Sequence, residues 1–253
     1  MPLKKIILIF LLFSPIFLWS QLGNSRRVPS YFGVYGKAVI PGSLTGSSIL
    51  SISKDGMSNT ITQELGYSFG GSVRAGITKL IAFETGINFT QRNFNIDIAL
   101  VDSNLSAKNT LGFIQYDIPL NGLIYIQMTK KWYLNASLGA AVGFKPTDVG
   151  VINLPGGPHT FYSSGFVKSK TSIDINGNFG IEYRTKKSGF FNIGGSVRIP
   201  TSPLFQYVAV YRNQGYRTAV AGDVNGSYIT LDLKYFLPSK RGGPSNLPRG
   251  PIE

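Results

Sequence analysis

Apolar and polar residues alternate one by one along much of this chain, and this pattern limits the fold more than any other feature. In segment 173–184, IDINGNFGIEYR, residues Ile173, Ile175 and Phe179 occupy one parity, whereas Asp174 occupies the other. A β-strand places the two sets on opposite faces, while a helix would spread each set around its circumference. The alternation therefore predicts an all-β protein.

The pattern predicts an eight-stranded antiparallel up-and-down transmembrane β-barrel. The expected strands lie near 30–40, 62–77, 80–94, 110–126, 132–145, 171–184, 189–200 and 226–237. Short turns alternate with long loops at roughly 41–61, 95–109, 146–170 and 201–225. An even strand number with short turns at one end and long loops at the other is typical of outer-membrane barrels. A soluble β-sandwich is the alternative, but it does not require loops of alternating length.

The beginning and end of the chain predict segments outside the barrel. Residues 1–20 combine a basic start at Lys4 and Lys5 with an apolar run that is too short for a spanning helix, as in a secretory signal peptide. Residues 21–237 are assigned to the barrel. Residues 238–253 are rich in Pro and Gly, which predicts a flexible periplasmic tail. The expected location is the outer membrane of a Gram-negative cell.

Charged residues on the polar face of each strand are predicted to lie inside the barrel. This set holds six acids and six bases: Lys37, Glu64, Arg74, Glu84, Arg92, Asp117, Asp174, Glu182, Arg184, Arg198, Asp232 and Lys234. The interior of an eight-stranded barrel is just filled by side chains, and buried charges must be paired. We interpret the set as a structural ion-pair network, with a catalytic or proton-relay cluster as the alternative.

The net charge of +13 is predicted to concentrate at the end of the barrel with short turns. The expected basic periplasmic rim comprises Lys79, Lys130, Lys131, Lys186, Lys187, Lys240 and Arg241. Such a rim suits the phosphates of outer-membrane lipid or an acidic envelope protein. Nucleic acid is not an expected partner of an exported chain that lacks a basic–aromatic platform.

The sequence predicts no catalytic, cofactor-binding or metal-binding residues. The single histidine, His159, is followed two positions later by Phe161 and not by a serine nucleophile. One histidine and no cysteine cannot build a usual zinc site, and the loop acids lack calcium-loop spacing. We therefore predict a protein that is not an enzyme and carries no cofactor.

Three segments resemble a known family. They are LIAFETGINFTQR at 80–92, GFIQYDIPLNGLIYI at 112–126 and WYLNASLGAAVGF at 132–144. Together they resemble the PorT-like outer-membrane β-barrels, which share the architecture of OmpA- and OmpX-type barrels. The resemblance implies the fold and the membrane but no single activity, although the family's namesake is linked to a protein secretion and gliding apparatus.

These observations favour a structural or interaction role through the long loops and the basic rim. Loop aromatics are expected either to form an adhesive surface or to pack the loops together: Phe161, Tyr162, Phe205, Tyr207, Tyr211 and Tyr216. A component of a secretion or transport assembly is the second hypothesis. A narrow pore and a lipid-modifying enzyme are less favoured alternatives.

Overall fold

The computed structural model describes residues 30–78, 80–100, 105–156, 159–185 and 188–238. The predicted signal peptide and almost all of the predicted tail lie outside these ranges. Within them the strands are β1 (Ser30–Pro41), β2 (Ile49–Lys54), β3 (Met57–Gly76), β4 (Ile81–Leu100), β5 (Leu105–Gln127), β6 (Trp132–Phe144), β7 (Val149–Gly156), β8 (His159–Phe166), β9 (Thr171–Arg184), β10 (Phe190–Pro200), β11 (Phe205–Asn213), β12 (Tyr216–Val224) and β13 (Tyr228–Phe236). In this part of the chain no helix is long and apolar enough to cross a membrane.

Eight strands close into one antiparallel ring, in the order β1, β3, β4, β5, β6, β9, β10 and β13. The ring closes because β1 pairs with β13 along one edge and with β3 along the other. Closure leaves no open edge in the ring, which removes the usual site of strand-to-strand aggregation. The predicted eight-stranded up-and-down barrel is therefore confirmed.

The outside of the ring carries an apolar belt. Its most exposed members include Val34, Ile87, Ile118, Leu138, Ile173, Phe179, Ile193 and Leu231. The aromatic pairs Trp132–Tyr183 and Phe191–Tyr235, with ring centroids 4.8 and 4.9 Å apart, border the belt near the short turns. An outward apolar band with aromatic residues at its border is the exterior of a transmembrane barrel. In water, so large an exposed apolar surface would promote aggregation.

Strand β4 exchanges the polarity of its two faces part way along its length. Near the short turns its inward residues are polar (Glu84, Asn88 and Arg92) and its outward residues are apolar (Phe83, Ile87 and Phe89). Toward the other end the inward residues are apolar (Phe94, Ile96 and Ile98) and the outward residues are polar (Gln91, Asn95 and Asp97). Strand β5 changes at the same level, where Arg92 pairs with Phe113 and Gln91 with Ile114. This level marks where the outward environment changes from apolar to polar.

Above that level the strands continue into a second folded unit, which we call the cap. Extensions of β3, β4 and β5 with β2 form its first sheet, and β7, β8, β11 and β12 form its second sheet. The sheets share an apolar core in which the ring of Phe205 lies 5.3 Å from that of Phe94 and 5.4 Å from that of Phe113. The segments predicted as long loops are thus largely strands. The sequence did not reveal them, because the buried face of a strand is apolar in the cap and polar in the barrel.

The cap also decides between the two expectations for the loop aromatics. Phe161, Phe205, Tyr207 and Tyr211 are buried in the cap core and pack the two sheets together. Tyr162 lies on the outward face of the second sheet, and the side chain of Tyr216 is outside the described part of the structure. An adhesive surface built from all six residues is therefore wrong.

A charge placed on the apolar belt should destabilise the protein in lipid, whereas the same charge placed on the outer face of the cap should not. Leu138 is 70% exposed and lies opposite Gly122 and Gly177 in the ring. For Leu138→Arg we expect a loss of about 2–4 kcal/mol of unfolding free energy, because a cation at mid-membrane depth is poorly solvated. Urea titration of protein folded into lipid vesicles, with heat-dependent gel mobility as a measure of the folded fraction, tests this.

The control is Ser106→Arg, which adds the same side chain to the exposed outer face of the cap. Its expected effect is within about 0.5 kcal/mol. Equal effects of the two substitutions would show that the belt does not face lipid.

Candidate functional site in the barrel lumen

The lumen near the short turns is filled by a chain of ion pairs, which we call the lower cluster. Lys234 Nζ donates to Glu84 Oε1 at 2.7 Å, and Arg74 Nη2 donates to Glu84 Oε2 at 2.6 Å. Arg74 Nη1 reaches Glu182 Oε2 at 2.5 Å, and Arg184 Nη2 lies 2.5 Å from Glu182 Oε1. All five side chains are buried, and each carboxylate is shared by two cations from different strands.

Aromatic rings pack against this cluster on the side of the short turns. The Arg74 guanidinium lies 4.1 Å from the ring centre of Phe236, and that of Arg184 lies 4.2 Å from Tyr133. Phe236 stacks on Phe190 with centroids 4.6 Å apart. Each guanidinium therefore binds a carboxylate and also contacts a ring face, a contact that is stronger where water is excluded.

A second group of charges, the upper cluster, lies in the half of the lumen nearer the cap. Arg198 Nη2 lies 2.6 Å from Asp117 Oδ1, and its Nη1 lies 3.4 Å from Asp174 Oδ2. Asn88 Nδ2 donates to Asp117 at 3.0 Å, and Gln115 Nε2 donates to Asp174 at 3.1 Å. The carboxylates are thus satisfied by both charged and neutral donors, as buried charges require.

Two buried cations connect the barrel to the cap. Arg92 Nη2 donates to the carbonyl oxygen of Gly226 at 2.6 Å, and Lys145 Nζ donates to those of Pro203 and Leu204 at 3.2 and 3.4 Å. A Cβ on Gly226 would lie 2.1 Å from Arg92 Nη1, so a larger residue there would displace the guanidinium from this position. These carbonyls flank β11 and β12, and the two cations therefore hold the base of that hairpin against the ring.

Between the clusters lies a polar cavity of about 40 Å³. Lys37 Nζ lies 3.1 Å from Asp232, whose carboxylate also accepts hydrogen bonds from Ser196 and Thr230. A water needs roughly 10–15 Å³ measured in this way, so the cavity has room for a few waters.

Eleven of the twelve predicted interior charges point into the lumen, and Glu64 does not. In β3 the register passes from Glu64 opposite Asn93 to Tyr67 opposite Gln91, so two residues face the single residue Arg92. This β-bulge reverses the faces of the strand beyond it. Glu64 therefore lies on the outward face, where it accepts a hydrogen bond from Asn95 Nδ2 at 2.9 Å.

The sequence reading missed Lys145, although the odd-numbered parity of β6 places it inward with Tyr133. Of the predicted basic rim, the structure describes only two members. Lys130 and Lys131 are exposed on the turn between β5 and β6. The remaining members lie outside the described residues: Lys79, Lys186, Lys187, Lys240 and Arg241.

The cap contains polar side chains, but their arrangement is structural. Tyr207 donates to Asn59 Oδ1 at 3.3 Å across the two sheets and lies 3.2 Å from Ser163 Oγ. Burial raises the pKa of Tyr207 to about 12, so the hydroxyl stays protonated at neutral pH. His159 Nδ1 lies 2.7 Å from the hydroxyl of Tyr211. Across the described ranges no group of three or more His, Cys, Asp or Glu residues is placed to hold a metal ion.

Removing the charge of Glu182 should destabilise the barrel strongly. Glu182→Gln keeps the side-chain shape but leaves Arg74 and Arg184 with one carboxylate fewer. We expect a loss of about 3–5 kcal/mol, the usual effect of breaking a buried ion pair. Fluorescence of Trp132 during urea unfolding in vesicles measures it. The control Asp223→Asn breaks the exposed pair with Lys168 and should cost about 0–1 kcal/mol; equal losses would contradict the role of the lower cluster.

The barrel resembles the outer membrane protein OprG from Pseudomonas aeruginosa, with a TM-score of 0.50 and 15% identity over 84% of this chain and 98% of that chain. The β domain of the Bordetella autotransporter BrkA has a TM-score of 0.28 and 8% identity, over 83% of this chain and 98% of that chain. The transport unit of the autotransporter AIDA-I from Escherichia coli has a TM-score of 0.24 and 13% identity, over 89% of this chain and 96% of that chain. These two scores are too low to support an argument. The sequence matches no family model and no curated protein. The chain therefore has the fold of an outer-membrane β-barrel.

Proposed function

We propose that this protein is a non-enzymatic outer-membrane barrel that presents the cap as an interaction platform outside the cell. The observation that carries the proposal is the combination of a filled lumen with a cap that has its own apolar core. A pore needs a continuous passage, whereas a platform needs a rigid support. In this proposal the ion pairs and aromatic rings of the lumen supply the rigidity and block a solute path.

The orientation follows from the lengths of the connections. Outer-membrane barrels have short periplasmic turns and longer extracellular connections. The turn that carries Lys130 and Lys131 would then face the periplasm, where the two ammonium groups suit the phosphates of membrane lipid. The cap would lie outside the cell, and its level of polarity exchange at Gln91 and Ile114 would coincide with the outer membrane surface.

A component of a protein secretion or transport assembly is the second candidate. Its support is the resemblance of segments 80–92, 112–126 and 132–144 to PorT-like barrels. In that case the partners would include other envelope proteins on the periplasmic side. Site-specific crosslinking from the turn at Lys130 in whole cells distinguishes the two candidates, since a platform has its partners at the cap.

Ion conductance tests the closed lumen. We expect no stepwise current when the purified protein is folded into a planar bilayer, because the lower cluster and the rings below it occupy the lumen. A porin inserted in the same bilayer is the positive control. Reproducible steps that scale with salt concentration would contradict the proposal and favour a narrow pore.

Surface labelling tests the orientation. The chain contains no cysteine, so a single introduced thiol reports its own position. We expect a membrane-impermeant maleimide to label Ser106→Cys, on the cap, in intact cells. Lys130→Cys should react only after the outer membrane is permeabilised. The reverse result would place the cap in the periplasm.

A further inference from the structure

The outward side chains of the second cap sheet form a surface that we call the platform face. Strand register arranges them in cross-strand rows. From the barrel upward the rows are Asp223–Gln206–Phe166, then Ala221–Val208–Ser164–Gly150, then Ala219–Val210–Tyr162–Ile152, and at the far end Arg217–Arg212–Thr160. The two middle rows are mainly apolar, and Ala219, Ala221 and Ile152 in them are exposed.

The opposite sheet of the same cap has a different outer face. Its outward residues above the belt are mainly polar: Ser58, Thr60, Thr62, Asn93, Asn95, Asp97, Ser106, Lys108 and Thr110. A sheet with one buried face normally shows such a polar outer face to water. The apolar rows of the platform face are therefore a property of one sheet and not of the cap as a whole.

The far row of the platform face carries two like charges directly opposite each other. Arg212 pairs with Arg217 in the β11–β12 register, and the Arg212 guanidinium lies 5.3 Å from the ring centre of Tyr162. Like charges in this position destabilise a sheet. On the first sheet the equivalent cross-strand pair is Asp97 and Lys108, with opposite charges 3.3 Å apart. Within the described ranges, neither arginine of the platform face has a carboxylate partner.

We propose that the platform face binds an acidic segment of another protein at the cell surface. The apolar middle rows would contact its aliphatic side chains, and Arg212 and Arg217 would bind its carboxylates. Arginine is suited to such pairs because its planar fork can bind a carboxylate through two hydrogen bonds. This inference rests on the proposed function and names the partner class of the platform.

A second copy of this chain does not fit the same surface. Two copies in one membrane share their orientation, so a symmetric dimer would bring equal heights of the two faces together. Arg212 and Arg217 of one copy would then face the same residues of the other. The only acid on the face, within the described residues, is Asp223 at the opposite end, where it pairs with Lys168 at 2.7 Å.

Peptide binding to the full-length protein tests the proposal. The protein is folded into vesicles of zwitterionic lipid, and the probe is a short fluorescent peptide in which Glu alternates with Val. A second peptide with Gln in place of Glu measures the contribution of charge. We expect the acidic peptide to bind at least about tenfold more tightly than the Gln peptide, because each carboxylate–arginine pair adds favourable interaction energy.

Charge reversal locates the binding surface. The double variant R212E/R217E should weaken binding of the acidic peptide by about tenfold or more. The matched control is K54E/K108E, which makes the same change in charge on the first sheet and should leave affinity within about twofold. V208S/V210S should weaken both peptides severalfold. Heat-dependent gel mobility verifies that each variant is folded.

Each other outcome overturns the proposal. Equal loss in both charge-reversal variants would mean general electrostatic attraction. Polygalacturonate is the probe for an acidic polysaccharide. If it binds, and if R212E/R217E weakens this binding while V208S/V210S leaves it unchanged, the arginines bind a polysaccharide and not a protein segment. No binding of the acidic peptide to folded protein would refute this partner class alone, whereas failure of the proposed function would appear separately as ion conductance or a periplasmic cap.

Discussion

The paired charges of the lumen are the constraint on which the rest of the structure depends. A strand that carries Glu84 or Arg74 inward is stable only if other strands supply partner charges, since an unpaired buried charge costs several kcal/mol. The partners are distant in sequence: Glu84 and Lys234 are separated by 150 residues, and Arg74 and Glu182 by 108. The pairs therefore favour one circular strand order, and the side chains that hold the ring closed also fill it.

Strands β3, β4 and β5 form part of both the barrel and the cap, but their outer faces meet lipid in the barrel and water in the cap. In the barrel the apolar face points outward, and in the cap it points inward, so hydrophobic burial acts on opposite faces of β4 and β5 without a change of register. Strand β3 combines this exchange with a bulge at Leu65 and Gly66. A Cβ on Gly66 would lie 2.2 Å from the carbonyl oxygen of Gln91, which explains the residue at that position.

Much of the barrel could be predicted from alternation, because one environment acts on each face along the whole crossing. The eight ring strands and the inward parity of Arg74 and Asp232 follow from it. The displacement of Glu64 could not be predicted, because the position of a bulge depends on the pairing of two strands, and Gly66 alone does not fix it. The cap extensions of β3, β4 and β5 could not be predicted for a related reason: the buried face of each changes from polar to apolar within one strand.

The meeting of the first and last ring strands has a consequence for assembly. Lys37 on β1 pairs with Asp232 on β13, and Glu84 on β4 pairs with Lys234 on β13. These partners enter the chain last during synthesis, so a nascent or truncated chain holds Lys37 and Glu84 without them. Glu84 would keep its pair with Arg74, but Lys37 would lack its carboxylate partner. The final strand therefore supplies both the closing edge of the ring and the carboxylate partner of Lys37, and a chain without it lacks both.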